Sequence, residues 1–111
     1  MLLQAVDANS FVVSVVQSTT PVIVLFSDAA THRSRNMIAS LEAVTRDQGA
    51  AIKVLHKVFD EGGCIEQDPA YAVQSAPTTL FFKDGKVERT VVGYYAYNGI
   101  FKAWVEQLAQ P

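Results

Sequence analysis

The run Pro21-Val22-Ile23-Val24-Leu25-Phe26 constrains the fold of this chain more than any other stretch. It holds no polar side chain and includes β-branched residues, so as a strand it must be covered on both faces. A two-sided strand needs helices on each side, and the flanking sequence offers them. Upstream, residues 7–17 bring Asp7, Asn9 and Ser10 as candidate caps, with Phe11, Val12, Val15 and Val16 near helical spacing. Downstream, residues 31–48 carry Met37, Ile38, Leu41 and Val44 and run into Gly49, a natural helix stop.

The remaining elements set the sheet's topology. Residues 2–6 and 51–59 read as strands, and a short helical stretch is expected over 69–73 after the polar segment 60–64. Residues 78–82 and 87–92 read as a hairpin closed around Asp84-Gly85, where both turn positions accept positive φ. Asn98 is the expected cap of a last helix whose Ile100, Phe101, Trp104, Val105 and Leu108 make one apolar face, with Trp104 assigned to the core. The order β-α-β-α-β-α-β-β-α joins the earlier strands by helical crossovers and the last pair by a hairpin. It predicts an α/β fold with a mixed central sheet and helices on both faces.

Composition limits the functions open to such a domain. A length of 111 residues fits one domain over 1–111 with a single core. A net charge of −2 with no basic stripe gives no argument for nucleic acid. No apolar run approaches the roughly 18–20 residues of a membrane span. The start, Met1 to Asp7, lacks a basic leader and a long apolar core, so it does not read as a secretory signal. With one cysteine no internal disulfide forms, and two separated histidines make no metal constellation, so no metal or cofactor is expected. A cytoplasmic, reducing setting follows as the expectation.

Three local features give the chain a family likeness over nearly its whole length. Phe26 ends a strand that leads through Thr31-His32-Arg33-Ser34 into a helix; Ser75-Ala76-Pro77-Thr78 enters a strand; Phe81-Phe82-Lys83-Asp84-Gly85-Lys86-Val87 is followed by Val92-Gly93. With the element order, these resemble the thioredoxin family: its active-site junction, its cis-proline loop and its closing hairpin. The resemblance implies a thioredoxin fold and a cis bond before Pro77.

The chain departs from that family where its chemistry resides. The family's Cys-x-x-Cys dithiol exchanges disulfides through a thiolate held at a helix amino terminus. Here Thr31 and Ser34 stand in those places, Leu25 replaces the buried acid, and Ser27 and Ala30 replace the flanking tryptophans. A hydroxyl cannot form a disulfide, so the expectation is a chain without dithiol oxidoreductase activity and no enzyme.

What the resemblance leaves is a surface for a protein partner. The expected contacts are Ala30, Thr31, His32, Arg33 and Ser34 at the helix start, Ala76 and Pro77 at the proline loop, and Gly93 and Tyr94 after the hairpin. His32, Arg33 and Arg35 are cations at the electropositive helix end, either solvated or holding an anion. Tyr94, Tyr95 and Tyr97 either face a partner or pack on the last helix. Cys64 is the possible reactive thiol, although its acidic neighbours Glu61 and Glu66 favour an inert one. The reading is a redox-inactive interaction module or adaptor that binds non-covalently through the former substrate groove. The alternative is a single-thiol redox protein or sensor acting through Cys64.

Overall fold

The computed structural model describes residues 3–110, so Met1 and the expected strand start at Leu2 lie outside the described residues. Five strands form one sheet in the order β1-β3-β2-β4-β5: β1 Gln4–Ala5, β2 Val22–Ser27, β3 Lys53–Val58, β4 Thr78–Lys83 and β5 Lys86–Val92. β3 runs parallel to β1 and β2, β4 is antiparallel to β2, and the β4–β5 hairpin closes the sheet. Asp84 and Gly85 both take positive φ, +53° and +78°, as that tight turn requires. This is the mixed, mainly central sheet of a thioredoxin fold.

Alternation along β2 divides the interior into two cores. Ile23 and Leu25 face α1 (His32–Gln48) and α2 (Lys102–Ala109), packing with Met37, Leu41, Val44, Phe101, Val105 and Leu108. Val22, Val24 and Phe26 point the other way, onto Phe11 and Val15 of the first helical segment and Ile65 and Val73 of the loop after β3. All six residues of β2 are buried, as an unbroken apolar run demands.

Three expected elements differ in detail. Residues Val12–Val16 form a π-helical turn, wide enough that the Gln17 N–H donates to the Val12 carbonyl at 2.9 Å. The expected helix over 69–73 does not form. The Asp68 carbonyl and carboxylate take the N–H groups of Ala70, Tyr71 and Ala72, and Ala72 at φ +49° turns the chain out after one turn. Finally, Asn98 does not cap the last helix: the chain breaks at Gly99 (φ −123°, ψ −139°), regular helix starts only at Lys102, and its N-cap is Phe101 with no side-chain cap bond. α1, by contrast, has its expected bounds: Thr31 caps it and Gly49 ends it at φ +57°.

Candidate functional site

The junction between β2 and α1 is held by the two hydroxyls that stand in the dithiol positions. The Ser34 N–H donates to Thr31 Oγ1 at 3.2 Å, an N-cap that satisfies one of the free donors of the first turn. Thr31 Oγ1 donates to the Asp28 carbonyl at 3.1 Å, and the Asp28 N–H donates to Ser34 Oγ at 2.9 Å. Ser34 is completely buried, whereas Thr31 is half-buried. The loop is thus closed by its own side chains.

The cations at this helix start are partly occupied. Arg35 donates to the Ala29 carbonyl at 2.7 Å and to His32 Nδ1 at 2.8 Å, which ties the guanidinium back over the loop. The Asp28 carboxylate, just upstream, accepts the Ala30 N–H at 2.9 Å. Arg33 is exposed.

Strand register brings the sequence-predicted residues to one end of the sheet. Phe26 lies opposite Thr78, and Thr78 opposite Val92, so the residues just beyond these pairs meet there. The Gly93 N–H donates to the Pro77 carbonyl at 2.9 Å, and Thr78 Oγ1 holds the Ser75 carbonyl at 2.8 Å. The Ala76–Pro77 bond is cis. On the other side of β2, Ser27 pairs with Val58 and takes the Phe59 N–H on its carbonyl at 2.9 Å. Residues 27–34, 76–77 and 93–94 therefore share one rim.

The tyrosines separate into two kinds. Ser40 Oγ donates to the Tyr95 carbonyl at 2.8 Å, and the Tyr97 hydroxyl donates to Asp47 Oδ2. Both bonds fasten the 93–97 loop to α1. Burial first, then the Asp47 bond, push the Tyr97 phenol up to about 12. Tyr95 packs on Trp104 with ring centroids 5.4 Å apart. Only Tyr94 of the three is exposed, at 44%.

Cys64 is exposed in the loop after β3, and two residues on the chain is deeply buried. Glu66 Oε2 accepts Lys57 Nζ at 2.6 Å and the Asp60 N–H at 2.9 Å, with both side chains almost sealed from water. Glu66 is therefore no free acid beside the thiol; its charge is matched by Lys57. Sequence reasoning missed this pair. The signal was available, since Lys57 stands two residues after Leu55 in a strand and shares its covered face, where a cation requires a carboxylate. Leu25 lies in the opposite core, so the buried acid of this chain comes from the loop and not from β2.

Trp104 also departs from expectation: it is only partly buried and lines a cleft beside β5. Among the described residues, no three His, Cys, Asp or Glu side chains converge as a metal site. No helix among them is long and apolar enough to cross a membrane.

No protein-family model matches the chain. Curated relatives do. It is 30% identical over 100 residues to a thioredoxin of Rickettsia bellii, covering 90% of this chain and 92% of that one. A thioredoxin of Pseudomonas aeruginosa is 33% identical over 76% of each chain. One from Acidithiobacillus ferridurans is 32% identical over 79% of this chain and 80% of its own. These relatives carry the name of an oxidoreductase family, which overturns the expectation that the chain is no enzyme: the likeness runs far beyond the four residues of the missing dithiol. On the sheet topology, the cis-proline rim and a likeness spanning nine-tenths of its length, the chain belongs to the thioredoxin family.

Proposed function

We propose that this thioredoxin-family domain, residues 1–111, recognises a protein partner non-covalently along the rim formed by Ala30, Thr31, Ala76, Pro77, Gly93 and Tyr94. One observation carries the reading: three of the six large apolar side chains left exposed among the described residues, Val58 (71%), Val92 (63%) and Tyr94 (44%), lie at this end of the sheet, while Val12, Val13 and Ile100 lie elsewhere. Val58 and Val92 are the last residues of β3 and β5, on either side of Pro77. Three exposed apolar groups on one rim favour a partner that covers them. Recognition by backbone pairing and apolar contact needs no thiol at residues 31 and 34. A cytoplasmic setting accords with a chain of one cysteine.

The exposure of Cys64 favours a second reading, a single thiol that attacks a partner's disulfide. Its sulfur would bond to one partner sulfur while the other leaves as thiolate. Affinity capture from the source cell with the wild type, Tyr94→Ala and Cys64→Ser, eluted with and without reductant, separates the two. Rim recognition predicts partners lost from Tyr94→Ala, kept by Cys64→Ser and indifferent to reductant. Partners that require Cys64 and elute only with reductant would replace it by the thiol reading.

A further inference from the structure

A second cleft lies away from the rim, between β5 and α2. Its walls are Phe81, Lys83, Glu88, Arg89, Trp104 and Gln107, with Leu108 beneath. Arg89 sits opposite Phe81 in the hairpin, well along β5 from Gly93, so this cleft and the rim are separate places on the molecule. A neighbouring depression continues it past Ile100 and Glu106 and shares Arg89 and Trp104.

The guanidinium of Arg89 is fixed but not satisfied. Its Cζ lies 4.5 Å from the centroid of the Trp104 ring, and Trp104 is itself wedged against Tyr95 and Phe101. Stacking orients the planar group and restricts the rotamers of a long side chain. Yet among the described residues the Arg89 guanidinium makes no hydrogen bond and no ion pair, although Glu88 borders the cleft and Glu106 the depression beside it. Glu88 is the extra residue of a bulge between the Phe82–Val87 and Phe81–Arg89 pairs; it is exposed and borders the cleft without pairing with the guanidinium. Lys83 supplies a second cation; its Nζ is anchored by one bond to the Gln110 carbonyl at 2.7 Å, which leaves two of its three donors free.

We propose that this cleft binds a small carboxylate with an apolar body. The carboxylate meets the free edge of the Arg89 guanidinium and the Lys83 ammonium. The body lies against the open edge of Trp104, above a floor closed by the buried Phe81 and Leu108. An oriented guanidinium fork matches a carboxylate in two parallel bonds, and an apolar wall with a few converging polar groups is the usual make-up of a small-molecule site. The placement of Glu88 and Glu106 at the border disfavours ligands with several negative charges.

Trp104 is the only tryptophan in the chain, so its emission reports on the cleft directly. The full chain is titrated with cyclohexanecarboxylate, acetate and cyclohexanol at constant ionic strength, following Trp104 emission and the thermal midpoint. The expected result is a saturable change with cyclohexanecarboxylate that is roughly tenfold weaker with acetate, which lacks the body, and with cyclohexanol, which lacks the charge. Arg89→Ala weakens cyclohexanecarboxylate by roughly tenfold or more, while Arg89→Lys recovers only part. Because Arg89→Ala also alters the surroundings of Trp104, amide NMR shifts of β5 and α2 provide the second readout and show whether the variant is folded. Equal binding of the acid and the alcohol, equal binding by folded Arg89→Ala, or no saturable change with any of the three overturns the proposal.

Discussion

Thr31 Oγ1 accepts the Ser34 N–H at 3.2 Å, so the two residues standing in the dithiol positions are joined through the cap of α1. A second bond, from the Asp28 N–H to Ser34 Oγ at 2.9 Å, locks the loop onto the same hydroxyl. Position 31 caps and position 34 fills a buried polar slot. Thr31→Ala is expected to cost about 1 kcal/mol, and Thr31→Ser much less, since serine caps as well. Ser34→Ala leaves the Asp28 N–H without its partner and is expected to cost about 1–3 kcal/mol. Urea denaturation of the three variants checks the order, with an unchanged m-value; a Thr31→Ala variant as stable as wild type would show that the cap contributes nothing.

The Lys57–Glu66 pair gives the sharpest stability prediction. Each partner is nearly sealed from water, so Lys57→Met or Glu66→Leu alone strands a charge and is expected to cost about 3–5 kcal/mol. The double variant strands none and is expected to be more stable than either single one. It does not return fully to wild type, because Glu66 also holds the Asp60 N–H. Midpoints from denaturant titration of all four proteins form the cycle that tests this. Additive losses would mean that the pair is not coupled.

Tyr97 should make stability fall at alkaline pH. Its phenol is raised from 10.0 to about 12 in the folded state, chiefly by burial and then by Asp47. A group with a raised folded pKa favours the fold while the unfolded chain remains protonated, and that contribution is lost as pH climbs through the folded value. The advantage of wild type over Tyr97→Phe is therefore expected to be full below about pH 10 and to shrink towards about pH 12. Denaturation of the two proteins across that window reads it out; a difference that stays constant would refute the linkage.

Two glycines at positive φ should respond differently to alanine. Gly93 has open space around a Cβ, so Gly93→Ala meets only the backbone penalty of about 1–2 kcal/mol. At Gly85 a Cβ would stand 2.6 Å from the Val16 carbonyl oxygen, where the hairpin rests on the first helical segment. Gly85→Ala is expected to be the more damaging, adding an overpacking cost of about 1–3 kcal/mol. Thermal melts of the two variants decide the order.

Much of this molecule was legible because it is local. The six buried residues of β2, the Thr31 and Gly49 ends of α1, and the Asp84-Gly85 turn follow from periodicity, capping and φ preference, properties that act within a few residues. The elements that failed were those in which local and tertiary preferences compete. Asp68 starts a single turn by taking its first N–H groups, but Ala72 at φ +49° ends it, and Val73 turns back into the core to donate to the Glu66 carbonyl at 3.0 Å.

The amino-acid sequence thus determined the covered central strand, the closing hairpin, the absence of both thiols at the junction and the family likeness, because each is written in spacing and residue type. Only the tertiary structure decided which side chains meet across the chain. Lys57 found Glu66, Tyr97 found Asp47, and Arg89 settled on Trp104. It also left Tyr94 outside while Ser40 and Asp47 drew the backbone and its neighbours onto α1. Those pairings join residues far apart in sequence, and their partners are fixed by the register and packing of the finished fold, to which a local pattern is blind.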